Sequence, residues 1–201
     1  MKLLLTSTGL ANQKIADFFV SILLKEPKGC SVLMVSYIRN KQEQIYVNQA
    51  RKELIDLGMK NISIFSLKDK KFNDQSSYDV IYVCGGNTYA ILNRMKITGI
   101  DNFIKRAINE DGSLYFGVSA GSIIAGPNIN IAGWGSEGDE NEVNLKDLTG
   151  FNFTNISIFP HFKTHLKREV EEYKNKANNP VIELTDDEAV FIHDSDYKII
   201  K

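Results

Sequence analysis

Short apolar runs alternate with amphipathic segments along the first 125 residues of the chain. The apolar runs have the character of buried strands and occupy residues 3–5, 32–37, 62–65, 80–83 and 114–118. Between them, apolar side chains recur three and four positions apart, as on one helix face, over residues 15–23, 45–57, 89–95 and 103–108. This alternation predicts an α/β fold, with a mainly parallel, doubly wound sheet as the middle of a three-layer sandwich.

The pattern changes after residue 125. Residues 126–144 are polar and rich in glycine, which predicts a long loop of the kind that often carries function. The remaining predicted elements are a short strand, a charged helix and three closing strands, at 157–159, 164–176, 181–184, 189–193 and 197–200. With 201 residues, 43% of them hydrophobic, the chain is long enough for one substantial core, and we expect a single domain over residues 1–201.

The charge balance argues against two classes of partner. The formal net charge is −1, so nothing indicates a nucleic-acid partner or an attraction to anionic membranes. No apolar segment has the length of a transmembrane helix, and the run after Met1 is too short for a signal-peptide core, so we expect a cytoplasmic protein. Cys30 and Cys84 lie in apolar surroundings and are expected as buried thiols rather than as a disulfide.

The segment Gly117-Val118-Ser119-Ala120-Gly121 carries the strongest chemical signal. It follows the apolar run Leu114-Tyr115-Phe116 of a predicted strand and precedes a predicted helix, which is the strand–turn–helix context of the G-x-S-x-G nucleophile elbow. Glycine is needed on both sides of the serine because neighbouring backbone approaches too closely for a Cβ. Ser119 is therefore the candidate nucleophile.

A serine nucleophile needs a base, an acid that orients the base, and an oxyanion hole. Of the three histidines, His161 is the preferred base because it directly follows a short strand. The backbone N–H groups of Ala120 and Gly86 are the candidate oxyanion donors. The acid stays open between loop and tail carboxylates, namely Glu137, Asp139, Glu140, Glu142, Asp186, Asp187 and Glu188. The histidines form no cluster that would indicate a metal site.

Three segments of the chain together resemble the aspartyl dipeptidase (peptidase E) family of serine peptidases, which also includes cyanophycinase. They are Tyr82–Thr88, with its Cys-Gly-Gly-Asn turn, Gly117–Ser122, and Pro160-His161-Phe162. Their order and spacing fit the family, and the resemblance runs from the first strand to near the C-terminus. It implies the flavodoxin-like, class I glutamine-amidotransferase-like α/β sandwich.

Carried over residue by residue, the resemblance implies Ser119 as nucleophile, His161 as base, and Gly86 and Ala120 as oxyanion hole. For the acid, counting back from His161 favours Asp139, followed by Glu140, and Asp186 stays a candidate. The implied substrate-binding residues are Asn87, Thr88 and Arg168. Arg168, or its neighbours Lys163 and Lys167, would meet the aspartate side chain of a substrate.

The resemblance implies a serine peptidase that hydrolyses small peptides, Asp-X dipeptides among them, through an acyl-enzyme intermediate. It implies no cofactor, and the protein is expected as a monomer or a homodimer. Two other classes stay open. An α/β-hydrolase-type esterase shares the G-x-S-x-G turn and the order serine, acid, histidine. A non-catalytic binding or stress protein on the same sandwich is the other alternative.

Overall fold

The computed structural model describes residues 1–69 and 71–201 and contains nine strands and six α-helices in that part of the chain. The strands are β1 (Lys2–Thr6), β2 (Ser31–Ser36), β3 (Asn61–Ser66), β4 (Val80–Val83), β5 (Leu114–Val118), β6 (Ser157–Phe159), β7 (Val181–Glu183), β8 (Ala189–His193) and β9 (Asp196–Ile200). The helices are α1 (Gln13–Ile22), α2 (Lys41–Asp56), α3 (Thr88–Thr98), α4 (Ile100–Asn109), α5 (Ala120–Ile124) and α6 (Lys167–Lys174).

Seven of these strands form one sheet in the order β3-β2-β4-β5-β1-β8-β9. The five strands from β3 to β1 run parallel, whereas β8 pairs antiparallel with β1, and β9 antiparallel with β8. A tight turn after His193 joins the last two strands, as expected for an antiparallel pair. The predicted α/β fold with a mainly parallel sheet flanked by helices is confirmed.

Two apolar cores lie on opposite faces of this sheet because side chains of a strand alternate between its faces. In β1, Leu3 and Leu5 belong to one core and Leu4 to the other. Helices α3 and α4 contribute to the first core, and α1 and α2 to the second. In the second core, the ring of Phe116 stacks on Tyr82 with centroids 4.6 Å apart and meets Phe19 edge-on.

The C-terminal part of the chain differs from the pattern expected from sequence. β7, predicted as a closing strand over 181–184, pairs in parallel with β6 in a separate two-stranded sheet. Strand β6 packs against α5, so the small sheet lies beside the main one at that helix. The predicted helix over 164–176 begins as a 3-10 turn at Thr164–Leu166, and the α-helix proper starts at Lys167.

The turn between β5 and α5 is among the tightest backbone packing in the molecule. A Cβ added to Gly121 would lie 2.4 Å from the carbonyl oxygen of Val83, at the end of β4. One added to Gly117 would lie 2.8 Å from the backbone of Gly121 and of Ser122. Both glycines are therefore required by close approach of backbone, as the sequence predicts.

Replacing Gly121 by alanine should therefore destabilise the fold. Because the added methyl meets backbone that cannot rotate away, we expect Gly121→Ala to lower the free energy of unfolding by at least about 2 kcal/mol in urea titrations. Gly29→Ala is the matched control, since nothing lies within 4 Å of its ideal Cβ. That control should leave the free energy unchanged or raise it by up to about 1 kcal/mol. Equal effects of the two substitutions would contradict this interpretation of the turn.

Candidate active site

The carboxyl ends of β1, β4 and β5 meet at one edge of the sheet because these strands are adjacent and parallel. Ser119 follows β5 at this edge with φ 49° and ψ −108°, outside the three regions that ordinary residues occupy. Strained backbone of this kind persists only where the surrounding structure holds it. Here the Ser119 N–H donates to the carbonyl of Thr6 at 2.9 Å, which ties the turn to β1.

His161 contacts the Ser119 hydroxyl directly. It lies just past β6, with a positive φ of 56°, and its Nε2 is 3.0 Å from Ser119 Oγ. Its Nδ1 is 2.6 Å from Oδ1 of Asp186, which lies just past β7. A carboxylate at Nδ1 fixes the tautomer that leaves Nε2 free to accept a proton from a hydroxyl. The three side chains can therefore move a proton from Ser119 to His161 while Asp186 stabilises the charge on the ring.

The carboxylate at His161 is Asp186 rather than Asp139, which corrects the sequence-based choice. Asp139 instead accepts a hydrogen bond from the backbone N–H of Thr88 at 2.7 Å, so it anchors the long loop to the start of α3. Glu140, the next alternative from the loop, is exposed, and its carbonyl accepts from the Asn87 amide at 2.8 Å. Asp186, kept from the sequence as a tail candidate, is brought to the site by the pairing of β6 with β7.

The glycine turn after β4 passes beside the serine. The ideal Cβ position of Gly85 lies 3.2 Å from Ser119 Cβ, and Gly86 adopts a φ of +137° that favours glycine. Within the described part of the chain, the backbone N–H groups of Gly86 and Ala120 have no protein acceptor. Helix α5 spans only five residues, so any electrostatic effect at Ser119 would come from individual N–H groups rather than from a long helix dipole.

A cavity of about 240 Å³ opens beside these groups. Ser119, His161 and Asp186 line it, together with apolar side chains that include Ile123, Trp134 and Phe159. The other charged groups along its wall are the carboxylates of Glu137, Asp139 and Glu169 and the ammonium of Lys163.

The cation in this wall is Lys163 rather than Arg168. Arg168 does not line the cavity; its side chain is 90% exposed and pairs with Glu172 one helical turn away, which corrects its assignment to the substrate site. Lys163 Nζ lies 3.0 Å from Glu137, whose other oxygen is 2.9 Å from His165. The hydrogen bond from Lys163, with a smaller contribution from His165, holds the pKa of Glu137 below its ordinary value.

Of the other predicted substrate residues, Thr88 is at the cavity and Asn87 is not in its lining. The Asn87 side chain caps α3 by accepting from Ala90 N at 2.9 Å, and its NH₂ donates to Glu140. Both the oxygen and the NH₂ group of that amide are therefore hydrogen-bonded within the protein. The Thr88 side chain is buried, and within the described residues its hydroxyl oxygen has no hydrogen-bond partner.

Both cysteines are free and buried, as predicted. Burial raises the pKa of the Cys84 thiol to about 12, although this residue lies directly before the glycine turn of the site. Burial also raises the pKa of Cys30. Among the residues that the structure describes, no group of histidine, cysteine and carboxylate side chains is arranged to hold a metal ion, and none of the helices could cross a membrane.

Comparison with known proteins identifies the family of the chain. Residues 3–200 match the family described as Peptidase family S51. The chain belongs to this family. The chain is similar to the Listeria monocytogenes protein named "Uncharacterized peptidase Lmo0363", which is 36% identical over 57% of this chain and 56% of its own length. Peptidase E of Haemophilus influenzae is 30% identical over 53% of this chain and 48% of its own length.

A solved structure extends the similarity over the whole S51 chain. It is a crystal structure from Listeria monocytogenes EGD-e, described as a candidate peptidase E, with a TM-score of 0.78 and 25% identity. The match covers 100% of this chain and 98% of the other. The curated relatives are matched over less of their length, since the chain spans about half of each.

The thiols of this S51 protein should be inert while it is folded. Because both thiols are buried and burial raises the pKa of each, we expect no modification by iodoacetamide in native buffer. Both cysteines should react once urea unfolds the chain, as mass spectrometry would show. Rapid labelling of Cys84 in the native protein would contradict the burial seen here.

Proposed function

We propose that this protein is a serine peptidase that hydrolyses short peptides through a Ser119–His161–Asp186 triad. The observation that carries the proposal is the chain of contacts from Ser119 Oγ to His161 Nε2 at 3.0 Å and from His161 Nδ1 to Asp186 at 2.6 Å. The strained backbone of Ser119, between two obligatory glycines, supports its role as the nucleophile of an elbow. Membership of family S51 supports the same reaction.

The reaction follows from these contacts. The Ser119 oxygen attacks the scissile carbonyl carbon as His161 Nε2 takes the hydroxyl proton, and Asp186 stabilises the imidazolium. The N–H groups of Gly86 and Ala120, which lack protein acceptors, would donate to the oxyanion. The imidazolium then protonates the leaving amine as the C–N bond breaks. Water, deprotonated by the same ring, finally releases the acyl group from Ser119.

The two alternative classes are less well supported than a peptidase. A non-catalytic protein would not need a carboxylate at the histidine ring, whereas Asp186 contacts His161 here. An esterase of the α/β-hydrolase type shares the G-x-S-x-G turn, but the family match is to peptidases. Parallel assays with peptides and with acyl esters separate these possibilities.

Substitution of the triad tests the proposal. We expect wild-type protein to cleave short peptides and to be labelled at Ser119 by a fluorophosphonate. Ser119→Ala and His161→Ala should each reduce kcat by about four to six orders of magnitude, and Asp186→Asn by about 10⁴, because the ring loses its orienting charge.

Asp139→Asn is the matched control for the acid. Its carboxylate contacts the Thr88 backbone instead of His161, so this variant should keep a kcat far above that of Asp186→Asn. The comparison requires that both variants have wild-type unfolding midpoints. A wild type that is inert to both peptides and the fluorophosphonate would refute the proposed function, and a greater loss in Asp139→Asn would refute the assignment of the acid.

The size of the cavity supports small substrates, and Lys163 in its wall supports an acidic first residue. About 240 Å³ is below the range of about 300–1,000 Å³ for sites that enclose drug-sized ligands, which suits a dipeptide better than a protein loop. Lys163 is the ammonium at the cavity wall, and its present partner is a carboxylate, Glu137. A substrate aspartate would take the place of Glu137 at Lys163, one carboxylate for another.

Substitution of Lys163 tests the preference for Asp-X dipeptides. We expect Lys163→Met to raise KM for Asp-Leu about ten- to a hundredfold, the effect of losing a hydrogen bond to a charged group. Cleavage of Ala-Leu should change little. Arg168→Met is the control, because this residue lies outside the cavity lining and should leave both substrates unaffected. Equal loss on Asp-Leu and Ala-Leu would show that Lys163 does not recognise the aspartate side chain.

A further inference from the structure

Three consecutive residues at the end of β1 each contact a different part of the proposed triad. They are Thr6, Ser7 and Thr8, at the carboxyl end of the strand that lies between β5 and β8. None of them was singled out by a sequence motif. Their contacts involve backbone groups of the triad residues rather than the reacting atoms.

Thr6 holds the nucleophile. Its carbonyl accepts from Ser119 N at 2.9 Å, and its N–H donates to the hydroxyl of Ser122 at 2.9 Å. The Thr6 hydroxyl donates to the carbonyl of Gly117 at 3.2 Å. The turn that carries Ser119 is therefore fixed to the end of β1 on both sides of the serine.

Ser7 holds the base. Its hydroxyl accepts from the backbone N–H of His161 at 3.1 Å and donates to the carbonyl of Leu184 at 3.0 Å. The Ser7 side chain is buried, so water does not replace these bonds. The backbone of His161 has a positive φ, and this hydrogen bond helps to fix that conformation.

Thr8 holds the acid. Its hydroxyl donates to the carbonyl of Asp186 at 2.7 Å, while its side chain lies at an exposed position. Asn12, just before α1, supports the same loop by donating to the carbonyl of Asp187 at 3.1 Å. The loop that carries the Asp186 carboxylate is thus tied to the same end of β1 as Ser119.

This arrangement matters because the triad residues come from two different sheets. Ser119 follows β5 in the main sheet, whereas His161 and Asp186 follow β6 and β7 in the small sheet. Hydrogen bonds within one sheet do not set the distance between them. The segment Thr6–Thr8 contacts both groups and therefore links the nucleophile to its base and acid.

We propose that Thr6, Ser7 and Thr8 are positioning residues that set the geometry between Ser119 and the His161–Asp186 pair. The proposal rests on the proposed serine peptidase function and adds residues that never touch the substrate. Thr8 gives the sharpest test, because it is exposed and, within the described residues, its side chain makes one hydrogen bond, to Asp186. Removal of its hydroxyl should disturb the loop of Asp186 without opening the core.

Thr8→Val is the test variant and Thr8→Ser its matched control. Valine keeps the shape of threonine without the hydroxyl, whereas serine keeps the hydroxyl. Because small errors in the position of catalytic groups are costly, we expect Thr8→Val to lower kcat about ten- to a hundredfold, with KM changed less than about twofold. Thr8→Ser should stay within about twofold of wild type, and all three proteins should share one unfolding midpoint.

A second measurement does not depend on turnover. The proton on His161 Nδ1, bound to a carboxylate, should give a low-field NMR signal in wild type and in Thr8→Ser. In Thr8→Val this signal should weaken or move upfield. An inert wild type would refute the peptidase function alone, and the NMR comparison would still decide the positioning role. Wild-type kcat and an unchanged signal in Thr8→Val, or equal losses in both variants, would overturn the proposal.

Discussion

The close approach of α5 to the end of β4 is the contact on which the site depends. Gly121 packs against the carbonyl of Val83 with no room for a side chain, and this contact sets the direction in which the chain leaves β5. Ser119 is consequently forced into a conformation that a serine would not otherwise adopt. Its hydroxyl stands above the sheet edge, where the ends of β4 and β1 also arrive. His161, Asp186 and the glycine turn after β4 all lie beside this hydroxyl or beside the group that contacts it.

Most of the main sheet could be predicted from the sequence because its strands and helices leave strong local signals. Runs such as Val80–Val83 are buried on both faces, and their lengths and flanking turns distinguish them from helices. The tight turn at Ser119 could also be predicted, because closely spaced glycines between a strand and a helix indicate a turn where neighbouring backbone leaves no room for a Cβ. These features depend on residues that are neighbours in the chain.

The choice of acid could not be predicted, because it depends on contacts between distant segments. Counting along the loop brings Asp139 to the right distance from His161 in sequence, but the pairing of β6 with β7 decides which carboxylate reaches the ring. A similar limit applies to Arg168. Its side chain is exposed, pairs with Glu172 and does not line the cavity, and charge and spacing alone do not reveal which face of α6 carries it. Short-range patterns thus predicted the serine and the histidine that are in contact here, but not which charged side chains lie beside them.

The division of the site between two sheets has a consequence for how the activity of the protein can evolve. His161 and Asp186 directly follow the strands of the small sheet, so a change in a buried side chain of that sheet, such as Ile158 of β6, can shift the two residues together. Such a shift would alter the gap between serine and imidazole while leaving the bond between imidazole and carboxylate intact. Substitutions in this buried layer, remote from any substrate, are therefore a route by which reactivity can be tuned without redesigning the reacting groups.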